Sequence, residues 1–234
     1  MKISFVDLKS QYISIKKEID DAIARVITET TFIKGKHVKL FEEKYSNLYK
    51  IKHCIGCGNG TDAIYIALKS LGIGRGDEVI TVSNTWISTA ETITQAGAKP
   101  IFVDIDEYHN IDISKIEEKI NNRTKALIAV HLYGLPAKIK EISKLCKKYN
   151  LKLIEDCAQS HLAEYDGKLV GTYGDIATFS FFPGKNLGAY GDAGAIITNN
   201  NDYADFCRKY SNHGSLIKHK HEIEGINSRL DGLQ

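Results

Sequence analysis

Short apolar runs alternate with helical patterns along most of the chain. The runs are HCIGC (53–57), DEVITV (77–82), KPIFVDI (99–105), KALIAVH (125–131), LKLIED (151–156), DIATFSF (175–181) and GAIIT (194–198). Between them, TDAIYIALKSL, WISTAETITQAG, ISKIEEKI and AKIKEISKLCKKY carry apolar residues at helical spacing. In the last of these, Ile139, Ile142 and Leu145 form a stripe with lysines opposite. Residues 1–50 read as helical and amphipathic: Ile15, Ile19, Ala22, Ile23 and Val26 share one face, and Val38, Phe41, Tyr45 and Leu48 share the face of a second segment. Continuously apolar strands joined by helices predict an α/β fold, a three-layer α/β/α sandwich whose central sheet is mostly parallel and covered on both faces. In such sheets the ligand sits beyond the carboxyl ends of the strands. Polar clusters follow several runs at that end: Gly58–Thr61, Ser83–Trp86, His131–Gly134 and Glu155–Ser160.

Composition narrows this without redirecting it. A hydrophobic fraction of 43% and a charged fraction of 26% over 234 residues belong to an ordinary globular chain. With three prolines and neither a repeat nor a linker, residues 1–234 read as one continuous domain. The net charge of +2, with acids and bases interspersed, gives no reason to propose nucleic acid or an anionic membrane as partner. The short basic run Lys218–His221 reads as a solvated loop. No apolar run approaches the roughly 18 residues of a membrane helix. The opening MKISFVDLKSQY lacks the apolar core of a signal peptide. Cys54, Cys57, Cys146, Cys157 and Cys207 are odd in number and scattered, which suits a reducing cytoplasm. Cys54-x-x-Cys57 has no second pair with which to complete a metal site, so the cysteines read as small buried apolar residues and no metal is expected.

Three motifs carry candidate chemistry. In CIGCGNGTDAIYIALKSLG a strand ends in glycines, and Thr61 and Asp62 open a helix. Exposed N–H groups there make an anion site; a dinucleotide turn and a plain N-cap are the rivals, and the third glycine is misplaced for G-x-G-x-x-G. In LIEDCAQSH, Glu155 and Asp156 point to opposite sides of the sheet, so they are not a catalytic carboxylate pair. One of them can hold a proton on a ring nitrogen, or Asp156 can cap the following turn through Ala158 or Gln159. In DIATFSFFPGKNLGAYGDAGAIIT, Lys185 stands in an apolar, glycine-bounded loop after Ser180. Desolvation there favours the neutral amine that Schiff-base chemistry needs. Trp86, the sole tryptophan, either stacks on a planar ring or packs in the core.

These motifs, in this order, resemble the DegT/StrS-like sugar aminotransferases. The resemblance runs the length of the chain, through FVDLKSQY, FIKGKHVKLFEE, GNGTDAIYIAL, GDEVITVSNTWISTAE, GAKPIFVDID, VHLYG, IEDCAQSH, GDIATFSFFPGKNLGAYGDAGAI and NSRLDGLQ. It implies the large domain of the fold type I pyridoxal-phosphate-dependent transferases, with pyridoxal 5′-phosphate as cofactor. It implies Lys185 as the Schiff-base lysine, Asp156 on the pyridine nitrogen and Gln159 on the ring hydroxyl. Gly60, Thr61 and Ser180 are then implied at the phosphate, with Trp86 stacked on the ring. Asn227 matches the residue that reaches the phosphate of a neighbouring subunit, which implies a homodimer. Arg229 is implied more distantly, on a substrate carboxylate.

The loop PGKNLGAYGDAGA (183–195) resembles members that aminate carbon 3, rather than carbon 4, of a keto-sugar linked to dTDP or UDP, with L-glutamate as donor. Lipopolysaccharide, O-antigen and secondary-metabolite sugars all suit that chemistry. The sequence ends inside NSRLDGLQ, where Asn227 or Ser228 reads as the N-cap of a helix just begun. The C-terminal small domain that the resemblance implies is therefore expected to be absent. The alternative is accordingly a non-catalytic, cofactor-binding or regulatory member.

Overall fold

The computed structural model describes residues 5–234. The parts of the helical and leader readings that fall on residues 1–4 lie outside them. Two helices come first, α1 (Leu8–Glu29) and α2 (Lys36–Tyr49). Asp7 opens α1 by accepting the Ser10 N–H, and each helix ends on a residue with positive φ, Thr30 and Lys50. Then follow β1 (His53–Cys57), α3 (Gly60–Ser70), β2 (Glu78–Val82), α4 (Ser88–Gln95), β3 (Lys99–Val103) and β4 (Thr124–Val130). The remainder is α5 (Ile139–Lys148), β5 (Lys152–Asp156), a hairpin of β6 (Glu164–Tyr165) and β7 (Lys168–Leu169), β8 (Ile176–Ser180), β9 (Gly194–Thr198) and α6 (Asn201–Tyr210).

Seven strands form one sheet in the order β1-β9-β8-β5-β4-β2-β3. β2, β3, β4, β5 and β8 pair in parallel, while β9 runs antiparallel to both β1 and β8. β1 therefore points the same way as the parallel group, and β9 alone is reversed. That reversal needs only the loop from β8 to β9, and this loop carries Lys185.

Alternation along the strands builds the layers. On β4, Ala126 and Ile128 face a core shared with Ala63, Ile64, Ala67 and Leu68 of α3, Ile93 of α4, and Ala204 and Cys207 of α6. Leu127 and Ala129 face the opposite core, with Ile139, Ile142 and Cys146 of α5. Val38, Tyr45 and Tyr49 of α2 cover Ala177 and Phe179 of β8 and Ala195 and Ile197 of β9 on a third patch. This is the expected three-layer α/β/α arrangement, every residue of β2 and β9 being buried. All five cysteines are free and buried, which is how the sequence places them.

Two helical expectations are corrected. ISKIEEKI forms two 3-10 turns, Ile113–Lys115 and Glu117–Lys119, rather than an α-helix. Ile116 is fully buried, and Ile113 and Ile120 pack partly buried against the same core. No helix begins in residues 227–234. Ser228 spends its hydroxyl on a distant loop instead of capping its own backbone: Gly58 N–H donates to Ser228 Oγ at 3.0 Å, and Ser228 Oγ donates to Asp62 Oδ2 at 2.6 Å. Leu230 then packs onto Gly56, where an added Cβ would come within 2.8 Å of its side chain.

Candidate active site

The carboxyl ends of β1, β2, β4, β5 and β8 lie at one edge of the sheet, and the polar clusters gather there. At the end of β1, Asn59 caps α3 by accepting the Asp62 N–H at 2.7 Å, while Ala63 N–H bonds Asn59 O. The N–H groups of Gly60 and Thr61 are left over for an external acceptor at the positive end of the helix. A Cβ on Gly60 would lie 2.6 Å from Ser180 Cβ, and one on Gly194 would lie 2.3 Å from Asn59 O. Only glycine lets the β1 turn, the end of β8 and the start of β9 meet this closely. Ser180 Oγ accepts the Phe182 N–H at 3.3 Å, which leaves its own proton to donate. Together they form a cradle of hydrogen-bond donors at the positive end of α3, the arrangement that binds anions.

Asp156 ends β5 and is almost wholly buried. Its Oδ1 accepts from Ala158 N–H at 3.1 Å and its Oδ2 from the Thr89 hydroxyl at 3.1 Å. The capping role is thus real but local, since a turn follows rather than a helix. Burial raises the Asp156 carboxyl above the ordinary range, opposed by those two donors and by the charge of Lys185. A buried carboxylate with spare lone pairs is a fitting partner for a protonated ring nitrogen, whose charge offsets the cost of its burial.

Lys185 sits half-buried in the loop between β8 and β9. The loop is pinched at its base by Phe181 N–H to Ala193 O (2.8 Å) and Ala189 N–H to Phe181 O (2.7 Å). It is tightened by Lys185 N–H to Phe182 O at 2.8 Å. Gly188 lies so close to Pro183 that a Cβ would sit 2.4 Å from the proline carbonyl. Burial lowers the Lys185 ammonium below its usual value, and the negative charge of Asp156 pulls the other way. Lys185 and Asp156 thus act on each other across the same sheet edge.

The remaining predicted residues divide. Gln159 Oε1 accepts the N–H of Tyr133 at 2.7 Å, joining the turn after β5 to the turn after β4. Tyr133 has φ 54°, and that N–H contact helps hold its left-handed backbone. Thr61 Oγ1 lies 2.7 Å from Ser88 Oγ of α4. Trp86 is 72% exposed, which removes core packing as its explanation, and it stands three residues before Thr89. Asn227 is exposed beside the tethered Ser228. Burial lowers the Lys34 ammonium, Glu42 pulls the other way, and the charges of Arg208 and Arg229 lower it further. A cavity of about 390 Å³ between α1, α2 and residues 187–190 is lined by neither Lys185 nor Asp156.

Four contributors escape the sequence reading: Ser88, Thr89, His131 and Ser228. Ser88, Thr89 and Thr92 are polar residues buried on α4, and hydroxyls at core-facing positions are the signal that marks them. His131 is fully buried. Its Nδ1 accepts from Ala137 N–H at 3.1 Å, so Nε2 carries the proton and donates to Glu155 Oε2 at 3.2 Å. Glu155 also accepts N–H groups from Gly171, Tyr173 and Gly174, each at 2.7 Å. His131, Glu155 and Cys157 offer ligand atoms within 4.8 Å of one another. They form a hydrogen-bonded knot: donors occupy the carboxylate, and burial keeps the Cys157 thiol far above its usual range.

The model of the family described as DegT/DnrJ/EryC1/StrS aminotransferase matches residues 13–234. A pleiotropic regulatory protein of Geobacillus stearothermophilus is 48% identical over 235 residues, spanning 100% of this chain and 63% of the relative. A UDP-N-acetyl-3-dehydro-alpha-D-glucosamine 3-aminotransferase of Acidithiobacillus ferrooxidans is 44% identical over 233 residues, 99% of this chain and 63% of the relative. The crystal structure of S. venezuelae DesV in complex with a ketimine intermediate superposes with a TM-score of 0.97 at 41% identity, covering 100% of this chain and 63% of that one. This chain thus spans about 63% of the length of each.

Proposed function

The chain belongs to the DegT/DnrJ/EryC1/StrS aminotransferase family, whose members depend on pyridoxal phosphate. From that premise we propose that it carries the cofactor on Lys185 and moves an amino group from L-glutamate to carbon 3 of a keto-sugar linked to dTDP or UDP. The observation that carries the proposal is that half-buried Lys185 and buried Asp156 act on each other electrostatically at one sheet edge, which also holds a glycine turn that a Cβ on Gly60 would fill.

When bound, the cofactor supplies an electron sink for the carbon that exchanges its amino group. The protein's part is to hold and to move protons. Gly60 and Thr61 present backbone N–H groups to the phosphate and Ser180 its hydroxyl. Asp156 keeps the ring nitrogen protonated, Gln159 faces the ring hydroxyl, and the exposed indole of Trp86 supplies a stacking surface. Lys185, its neutral form favoured by burial, takes and returns the proton at the substrate carbon. In this reading the working unit is a homodimer in which exposed Asn227 reaches the phosphate held by a second copy. The preference for carbon 3 rests on the loop 183–195 and is supported by the 3-aminotransferase relative.

The test is amino transfer by the purified chain with cofactor, L-glutamate and nucleotide-linked keto-sugars, read as 2-oxoglutarate release. Release with 3-keto but not 4-keto substrates is expected; the reverse order overturns the assignment of carbon 3. A second reading, cofactor binding without turnover, is favoured by the 48% identity to a protein named as regulatory. It predicts cofactor uptake with no 2-oxoglutarate from any keto-sugar, and measurable turnover excludes it.

A further inference from the structure

Asp156 is held from a side that the sequence does not advertise. α4 carries three threonines, and two of them behave as helical threonines usually do: Thr92 Oγ1 donates to Ser88 O at 2.7 Å, and Thr94 Oγ1 to Ala90 O at 3.3 Å. Thr89 does not. Fully buried, it donates across the structure to Asp156 Oδ2 at 3.1 Å, a partner 67 residues away. Its hydroxyl oxygen in turn lies 2.9 Å from Thr85 Oγ1. Because the Thr89 proton is committed to the carboxylate, the Thr85 hydroxyl is the donor of that pair, and the chain Thr85 to Thr89 to Asp156 runs one way. Thr89 is the side-chain hydroxyl on Asp156, while Ala158 N–H serves the other oxygen. With one donor on each oxygen, about two of the four lone-pair sites stay open.

We infer that Thr89 is a positioning residue for Asp156, orienting the carboxylate toward the ring nitrogen and, with Thr85 behind it, holding it in the ionised form. The inference rests on the reading of Lys185 and Asp156 as the cofactor site and deepens it. Hydrogen bonding to the charged form of a carboxylate favours that form, and chained hydroxyls strengthen one another. The charged and titratable groups that bear on Asp156 are Lys185 from the β8–β9 loop and His131 from the end of β4, with the Cys157 thiol next to it. Neither Lys185 nor His131 makes the contact to Oδ2 that Thr89 makes. Ser88, the neighbouring residue, bonds Thr61, so one turn of α4 braces both the phosphate end and the nitrogen end of the site.

The prediction concerns a spectrum rather than a rate. A protonated ring draws electrons from the bond to Lys185 and lowers the pH at which that nitrogen loses its proton. If Asp156 ionises less readily, the ring holds its proton less firmly and the midpoint rises. The visible band of the cofactor-loaded chain is therefore titrated with pH, without substrate, in wild type, Thr89→Val, Thr89→Ser and Thr85→Val. Thr89→Val is expected to move the midpoint up by about half a unit or more, a modest share of what a hydrogen bond to a charge is worth. Thr89→Ser should return it to the wild-type value, and Thr85→Val should move it upward by less.

A Thr89→Val midpoint equal to wild type overturns the inference while leaving the lysine assignment intact, as does a serine variant displaced as far as the valine one. If Thr89→Val does not fold, Thr85→Val decides, an unshifted midpoint there being the contrary result. A wild-type chain that takes up no cofactor overturns both this inference and the reading beneath it.

Discussion

Glu155 and Asp156 are neighbours with opposite duties, because adjacent side chains of a strand leave on opposite faces. Glu155 faces the inner knot and accepts from three backbone N–H groups and His131. Asp156 faces the sheet edge with acceptor capacity to spare. Removing the first is a folding change: Glu155→Ala leaves several buried donors unpaired and should cost about 2–4 kcal/mol in urea unfolding. Stability unchanged within error would contradict the knot. At the cradle, Gly60→Ala places a methyl 2.6 Å from Ser180 and should weaken cofactor binding about tenfold or more, a cost of at least ~1.4 kcal/mol, measured by spectroscopic titration. Lys185 offers a pH test. Burial lowers its ammonium, so its neutral fraction appears at lower pH than that of solvated lysines. In competitive acylation of the cofactor-free chain, its labelling midpoint should fall below the ordinary range of a solvated lysine, and a midpoint within that range counts against desolvation.

Most elements were legible because their burial is strong and regular. The central strands are buried on both faces, so their runs stay mostly apolar, and Ile139 and Ile142 of the α5 stripe lie on its buried face. The hairpin of β6 and β7 was missed because its two-residue strands carry no period. Its Asp166-Gly167 turn, both residues at positive φ, is the signal that was available. Among helices, α1 shows what periodicity does not reveal. Ile15, Ile19, Ala22, Ile23 and Val26 do share a face, yet only Val26 is buried, and Ile13 is 61% exposed. Amphipathicity tells which side is apolar but not what covers it. On α2, Val38 and Tyr45 meet the core as expected, whereas Leu48 stays exposed and Tyr49 takes the buried place. Amides of α1 near Ile13 should therefore exchange with deuterium much faster than those of α3. Equal protection would mean that the exposed face of α1 is covered in solution.

For the molecule as a whole, the sheet edge explains why a site read from scattered motifs closes on itself. Parallel strands bring five carboxyl ends to one place, and the single reversed strand β9 folds the lysine loop back over them. Lys185, Asp156, Gly60 and Ser180 were legible as candidates because each sits in a short motif tied to a strand end. Thr89, Ser88 and His131 were not, since their partners lie in other motifs and only the fold brings them together. Arg229 is placed by its motif alone, and its charge bears on Lys34 together with that of Arg208. Trp86, Tyr133, Leu135, Phe182 and Leu187 stand exposed on loops that follow the strand ends. The proposed homodimer predicts a sedimentation coefficient that rises with concentration toward a dimer. The central claim, however, concerns one nitrogen atom. Borohydride reduction of the cofactor-loaded chain, followed by peptide mass mapping, locates the bond directly: a pyridoxyl group on the peptide containing Lys185, lost in Lys185→Ala, is the result predicted, and the group on any other lysine, or on none, is the result that contradicts it.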